Sequence, residues 1–489
     1  MVEDWFGHNA GHLVCAIAGQ EISESVEKLT NEFRIYATEM LQQFVQSAPS
    51  ASRTFEFENS LFDCLRSVGR ELIQWLFSSL EPKLEQMPGT VNHRGTSYRR
   101  LAEKTRRSGV LTRFGKVELI RGSYRRGRSG QTIFPLEILM GIEDGFTPAA
   151  ADRVGKQFAA TGSSQGRTLE TIEDQMGERI GVEKLRKLVG SLTANLEPFR
   201  QDAQVEKLTA LLTAARRKKE KPVLSVSRDG VALGLAPWSY FEMASVATIS
   251  VLAAGKRLGT VYLGCTPEAN QKTLSAQLTS LLTETIRRCG RPLPEIVYVT
   301  DAGKIETAYW RNTLRKFFVD GKRIKITRVV DNYHASERLT KIADALKFAG
   351  EHSKRQAWLE RVRKMLLEPG GHGRVLRSIA IMREQYGYKK SAAEVAEKAE
   401  TYLRRYRRFM DYAAMKEQNY PIGSGVVESA CKQIISERLK FSGMPWLHAV
   451  AQRAMTLRSI LLSGVWDVVY KKFLSSKPTV NDLMQLETP

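Results

Sequence analysis

Val223-Leu-Ser-Val-Ser-Arg-Asp-Gly230 and Glu295-Ile-Val-Tyr-Val-Thr-Asp-Ala-Gly303 decide the fold. Each is a short apolar run that stops at an acid followed closely by glycine, with Asp229 ending the first and Asp301 the second. Short runs rich in Val and Ile and closed by turn residues read as strands. The pattern therefore predicts a strand over 223–229 and another over 295–300. Two more are expected near 244–251 and 259–264, where Gly255, Gly259 and Gly264 punctuate an antiparallel meander.

Helical spacing follows at 272–288 and 304–318, a further strand at 324–330, and a long helical stretch from about 333 to 415. Later, Gly423-Ser-Gly opens a helix with Ser424 as the expected N-cap and Glu428 one turn in. The order β-β-β-α-β-α-β-α, interrupted by helices before a last acidic helix, is that of a ribonuclease H-like mixed sheet. The expected fold class is α/β, with mostly helical N-terminal DNA-binding domains and a short basic β-hairpin ahead of the sheet.

Two aspartates at strand ends and a glutamate on a later helix suit metal-dependent phosphoryl transfer. That chemistry needs carboxylates facing one another, so that two Mg²⁺ (or Mn²⁺) ions about 3.5–4 Å apart serve the attacking and leaving oxygens. Mg²⁺ takes hard oxygen ligands and keeps several waters, so three carboxylates suffice. Asp229, Asp301 and Glu428 are the expected metal ligands. Taken singly, a strand-terminal Asp is a turn former and a first-turn Glu is a good helix starter; their joint order is what points to a site.

Val329-Val-Asp-Asn-Tyr-His-Ala adds Asp331 and His334. Asp331 rivals Asp301 as second ligand, and Asp301 is preferred because its strand should neighbour that of Asp229. His334 could contact a phosphate or orient a metal-bound water. A capping Asp and a packed His is the competing reading.

The charge points to a polyanionic partner. Among 489 residues, 74 Lys and Arg face 53 Asp and Glu, a formal net charge of +21. Neutralising phosphates releases condensed counterions, which favours a basic chain on nucleic acid. The densest stretch, 94–128, carries Arg94, Arg99, Arg100, Lys104, Arg106, Arg107, Arg113, Lys116, Arg121, Arg125, Arg126 and Arg128 against Glu103 and Glu118, with Tyr98, Phe114 and Tyr124 interleaved. Leu111 to Tyr124 reads as a hairpin turning at Gly115. Positive strands with aromatics suit backbone tracking along DNA, and a charge-guarded edge strand is the alternative.

Gly166 to Val189 reads as helix, glycine turn, helix, with Lys184, Arg186 and Lys187 on the second helix. That pattern is shared by helix-turn-helix modules and by any helical hairpin. Beyond Glu428, Lys432, Arg438 and Lys440 could hold phosphates. Trp446 could stack on a distorted base or simply fill the core. Glu437, nine residues after Glu428, should point away from the site.

The expected segments are a helical region over 1–90, a basic β-containing DNA-binding segment over 91–150, and a helical segment over 151–215. A charged linker follows at 216–222, then the first part of the sheet core over 223–345. A helical insertion over 346–418 and the completion of the core over 419–489 end the chain. In the first region, Leu61, Leu65, Leu72, Trp75, Leu76 and Leu80 recur at helical spacing as an expected packing stripe. Five scattered cysteines without metal-ligand spacing read as reduced thiols. The apolar run around Ser245–Ala254 is too short to span a bilayer. A cytoplasmic, nucleoid-associated protein without membrane contact is expected.

Tyr420-Pro-Ile-Gly-Ser-Gly-Val-Val-Glu-Ser-Ala-Cys-Lys followed by Arg438-Leu-Lys-Phe-Ser-Gly-Met-Pro-Trp resembles the signature of bacterial insertion-sequence DDE transposases of the ISKra group, relatives of the Mutator-like enzymes. Ser227-Arg-Asp-Gly, Val299-Thr-Asp-Ala-Gly and Asp331-Asn-Tyr-His are similar to the other blocks of that pattern. The resemblance covers most of the chain from about residue 55. It implies an acidic triad of Asp229, Asp301 and Glu428 with Asp331 and His334 as an auxiliary pair. It also implies double-stranded DNA partners, the element's terminal inverted repeats and the target. Strand cleavage and transfer would be carried out by a homodimer or higher assembly on DNA. A nuclease lacking strand transfer, or a non-catalytic DNA-binding regulator, are the alternatives.

Overall fold

The computed structural model describes residues 21–160, 164–217, 221–237, 241–348, 352–440, 446–479 and 482–483. The protein is mixed α/β, and its chain divides into two compact units. The first takes the described residues within Met1–Phe158, Gln165–Asn195 and Tyr470–Pro489; the second takes those within Ala159–Ser164 and Leu196–Val469.

The first unit begins with two long helices, Glu21–Val45 (α1) and Ala51–Leu80 (α2), the latter capped by Ser50, whose side chain accepts from Arg53 N. The expected leucine stripe on α2 is only in part its packing face, with Leu80 packed and Leu61 and Trp75 half-buried. Leu65, Leu72 and Leu76 are exposed, and the helix is held through Ile73, Phe77 and Leu80, a line at i, i+4 and i+7. That line meets Val110, Val117 and Leu119 of a hairpin.

Strands Thr90–His93 (β1), Thr96–Arg100 (β2), Thr105–Thr112 (β3), Gly115–Arg121 (β4), Tyr124–Arg125 (β5) and Thr132–Ile133 (β6) follow. β1-β2-β5-β6 form one antiparallel sheet, and β3-β4 pair separately. The β3-β4 turn falls at Gly115, as expected. Gly115 has φ +116°, and Thr112 Oγ1 donates to Gly115 O at 2.8 Å.

Helices Pro135–Leu139 (α3), Pro148–Ala160 (α4), Gln165–Met176 (α5) and Val182–Arg217 (α6) complete this region. α5, Gly177 at φ +66° and α6 form the expected helical hairpin. α6 is continuous to Arg217, so the unit boundary falls inside it at 195/196 rather than at 151 or 215.

The second unit is built on strands Pro222–Ala236 (β7), Phe241–Ala253 (β8), Lys256–Cys265 (β9) and, after helix Lys272–Arg288 (α7), Glu295–Thr300 (β10). Helix Lys304–Asn312 (α8), the short strands Phe318–Val319 (β11) and Lys322–Arg323 (β12), and Ile326–Val330 (β13) come next. The sheet order is β13-β10-β7-β8-β9. β7-β8-β9 are antiparallel, while β10 and β13 run parallel to β7.

Side-chain alternation along these strands supplies two cores. Leu224, Val226, Ile296 and Tyr298 face Leu208 and Leu212 of α6 and Leu278 and Leu282 of α7. Val223, Val297, Val299 and Val329 face the opposite way, onto helices Asn332–Ala345 (α9), His352–Leu366 (α10), Gly371–Tyr386 (α11), Ala393–Tyr406 (α12) and Tyr412–Glu417 (α13). The segment expected as an insertion over 346–418 is therefore a layer of the sheet's own core.

Gly425–Ala430 (α14), a π-helical turn over Cys431–Ser436, Glu437–Leu439 (α15), Trp446–Leu447 (β14), His448–Leu462 (α16) and Trp466–Ser475 (α17) close the order. The C-terminal end does not stay with the sheet as the 419–489 segment anticipated. Tyr470 Oη donates to Pro148 O at 2.7 Å, tying that end into the first unit. Among the described residues no helix is long and apolar enough to cross a membrane.

Candidate active site

The acids gather because two parallel strands, β10 and β13, end level with the middle of a third, β7. The β7-β10 register pairs Ser227 with Val299, so two residues on, Asp229 and Asp301 stand side by side. The β10-β13 register pairs Thr300 with Val330, which brings Asp331 level with Asp301. All three acids share the parity of Val299 and Val329, on the helix-covered face. β7 does not stop at Asp229 as the sequence suggested. Its pairing with β8 continues to Gly234 opposite Phe241, with Asp229 opposite Val246. β10 ends where β7 goes on, so the two strands part beyond Asp229.

Asp229 is half-buried, and Asp229 Oδ1 accepts from Gly230 N at 2.7 Å. Burial, with the nearby Asp301 and Glu428 carboxylates adding to it, holds its carboxyl above the usual range. Asp301 Oδ1 accepts from Gly303 N at 2.8 Å. The chain behind it is anchored by the helical layer. Tyr402 Oη donates to Asp301 O at 2.7 Å, Tyr406 Oη to Ala302 O at 3.3 Å, and Tyr412 Oη to Val330 O at 2.8 Å.

Glu428 comes from α14, which packs on β7 and β8. Its side chain is 42% exposed. Ser424 is the N-cap residue by position, but its hydroxyl does not cap the helix. It reaches Asp331 Oδ2 and lies 2.8 Å from Glu428 Oε1. Asp331 is fully buried and caps α9, accepting from Tyr333 N and His334 N. His334 Nδ1 lies 3.0 Å from Glu337 Oε2, and its Nε2 faces Glu428 Oε1 at 3.9 Å.

Ligand atoms of Asp331, His334 and Glu428 lie within 4.8 Å of one another, the tightest such set among the described residues. Asp229 and Asp301 border this set as charged neighbours without belonging to it. The donors suit a hard divalent cation: converging carboxylate oxygens, and a histidine whose other nitrogen rests on a carboxylate, the arrangement that fixes a ligating tautomer.

Three residues escaped the sequence reading, Cys431, Glu306 and Tyr402, and Ser424 was read only as a helix cap. The Cys431 thiol hydrogen-bonds Asp229, and burial pushes its ionisation upward. Glu306 is buried on the first turn of α8, where Glu306 Oε2 and Asp301 Oδ1 together crowd the space a side chain would need at Gly303. Burial, reinforced by Asp301, raises its carboxyl. Ser424 and Tyr402 act through contacts far apart in sequence. Only Cys431, one turn beyond Glu428, carried a local signal.

The cations expected on DNA fall into two classes. Arg99, Arg113, Arg126, Lys432 and Lys440 are exposed, and Arg125 is half-exposed beside Thr132. Others are exposed but paired: Arg106 with Glu118, Lys116 with Glu178, Arg186 with Glu183 and Lys187 with Asp144. The structure corrects the rest. Arg121 is buried between Glu137 and the Phe134 ring, and Arg107 shares Glu137. Arg100 donates to Leu84 O, and Lys184 to Gly109 O at 3.1 Å over the Phe146 ring.

Arg438 is 0% exposed, stacked 5.1 Å from the Trp446 ring, and burial pushes its guanidinium down to about 10. Trp446 is itself buried, so it fills the core rather than meeting a base. Glu437 pairs with Arg458 at 3.7 Å, away from the acids as expected. Residues 441–445, part of the second motif block, lie outside the described residues. Neither protein-family models nor curated proteins give a match to this chain.

Proposed function

We propose that this chain is a DNA transposase with a ribonuclease H-like catalytic unit, which binds the terminal inverted repeats of its own element and cleaves and joins DNA strands there. The observation that carries this reading is the level alignment of Asp301 and Asp331, just past the ends of β10 and β13, with Asp229 within the adjoining parallel strand β7, and with Glu428 brought near Asp229 from a distant helix. The sheet order β13-β10-β7-β8-β9, three antiparallel strands with two parallel ones added beside β7, supports the same reading.

Asp229, Asp301 and Glu428 would hold the divalent cations, Mg²⁺ or Mn²⁺, with His334 beside them. When bound, such ions activate the attacking oxygen and stabilise the leaving one in an in-line displacement. The remaining work falls to the chain. Lys432, exposed one turn after Glu428, and the exposed Lys440 hold backbone phosphates. Tyr402 fixes the Asp301 peptide, and the apolar layer beneath the acids keeps them in register. Water attacks first, freeing a 3′-hydroxyl; that hydroxyl then attacks the target strand. Two ends must be held together, so a dimer or larger assembly on DNA is part of the proposal.

The test is incubation of pre-cleaved ends with supercoiled plasmid and Mg²⁺. Joined products that vanish in Asp229→Ala and Asp301→Ala support transposition. Cleaved but never joined ends favour a plain nuclease, and activity unchanged in Asp229→Ala removes catalysis from the account.

A further inference from the structure

Asp331 belongs to the tightest acidic set, yet its oxygens are fully engaged. A carboxylate offers about four lone-pair positions. Four donors meet this one: Tyr333 N and His334 N on Oδ1, the Ser424 N–H and the Ser424 hydroxyl on Oδ2. The side chain is 0% exposed. A cation could take an oxygen only by displacing one of these donors, and a lost hydrogen bond to a buried charged group costs about 1.5–3 kcal/mol. Asp229 and Asp301, by contrast, are only half-buried.

What those four bonds hold is the rest of the site. Ser424 lies 93 residues beyond Asp331 in the chain. Beside that contact, Asn332 N donates to Ile422 O at 2.9 Å, so the loop before α14 is stitched to the β13-α9 junction. Glu428 N then donates to Ser424 O at 3.2 Å, and the Ser424 hydroxyl touches the Glu428 carboxylate. On the other side, the Asp331 carboxylate pins the first turn of α9, from which the His334 ring faces Glu428.

We infer that Asp331 is a positioning residue rather than a metal ligand: with Ser424 it forms a clasp that sets Glu428 and His334 against Asp229 and Asp301. This deepens the proposed function and rests on it. The hydroxyl of Ser424 has one proton and two acid neighbours. Shared between the Asp331 and Glu428 carboxylates, that proton makes the serine a link between the two acids.

The experiment is calorimetric titration of the full chain with Mn²⁺, alongside melting curves that confirm folding. Asp301→Asn serves as the ligand-loss control and should abolish binding. Ser424→Ala should weaken Mn²⁺ binding by about 10-fold, the scale of losing a group that orients a ligand. Ser424→Thr should restore wild-type affinity, because it keeps the hydroxyl. Asp331→Asn places an amide donor against the Ser424 N–H, so it should weaken binding too. The Asp331→Asn, Ser424→Ala double variant should lose less than the product of the single losses.

If Asp331 were a ligand, Ser424→Ala would bind Mn²⁺ as wild type does, Asp331→Asn would match Asp301→Asn, and the two losses would multiply; that result overturns the clasp. Should Asp331→Asn fail to fold, the Ser424→Ala and Ser424→Thr pair decides alone. Wild-type protein that binds no Mn²⁺ rejects the metal reading itself, and is thereby distinguished from failure of the clasp.

Discussion

Asp229 shows how a single side chain carries the tension of the site. It is surrounded by apolar strand, by Asp301 and by Glu428, and its carboxyl is raised above the ordinary value of 3.8, first by burial and then by those charges. A raised folded-state value means that the native protein holds the proton more tightly than the unfolded chain. The stabilising contribution is therefore complete below the ordinary value and is lost as pH rises through the folded one. At neutral pH and without divalent cations, Asp229 therefore works against the fold. Asp229→Asn keeps the Oδ1 acceptor for Gly230 N and removes the charge. It should melt at a higher temperature than wild type at pH 7, the difference should shrink as pH falls toward 3.8, and DNA cleavage should drop by about 10³-fold or more. Scanning calorimetry across pH checks the sign; a variant that melts lower at pH 7 would show that the acids do not repel.

At the scale of elements, the β3-β4 hairpin and its neighbours separate cations that can meet DNA from cations that hold the fold. Arg99, Arg113 and Arg126 are exposed, whereas Arg121 lies against Glu137 and Phe134. Replacing each exposed arginine with glutamine should flatten the dependence of log K on log salt by about 0.9 for every DNA phosphate that is no longer neutralised. Arg121→Gln should leave that slope alone and destabilise the first unit by about 1.5–3 kcal/mol, because the buried Glu137 is left with Arg107 alone. Filter binding across salt concentrations and denaturant melts distinguish the two.

The sequence revealed these elements better than their roles. Strands β7, β8, β9, β10 and β13 were legible because β-branched runs between glycines admit few other conformations, and the hairpin turn was legible from Gly115. Which arginines turn inward was not, because that depends on Glu137 and Phe134 from a later segment. The run of β7 past Asp229 was hidden for a like reason: β8, not local propensity, extends it. The π-helical turn over Cys431–Ser436, which follows Glu428 and brings Cys431 to Asp229, has no local sequence rule behind it.

At the scale of the whole molecule, the chain is two units with separate cores. The first is centred on Tyr98, Tyr124, Val110 and Leu119, the second on the two faces of the five-stranded path. Every acid of the candidate site lies in the second unit. A ligand that binds only the folded form stabilises what it binds by RT ln(1 + [L]/Kd), about 2.7 kcal/mol at one hundred times Kd. Mn²⁺ should therefore raise the melting transition of the second unit and leave that of the first in place. The shift should grow with Mn²⁺ concentration and vanish in Asp301→Asn, whose fold keeps the Tyr402 hydrogen bond to the backbone carbonyl at 301. DNA should act differently: with a net charge of +21 and the basic stretch 94–128 lying in the first unit, the protein should bind DNA without Mn²⁺, and that binding should raise the first transition and weaken steeply with salt. Calorimetric scans with Mn²⁺ alone, DNA alone and both together read the two effects independently. A single transition that moves equally under either ligand would show that grip and chemistry are one cooperative body rather than two.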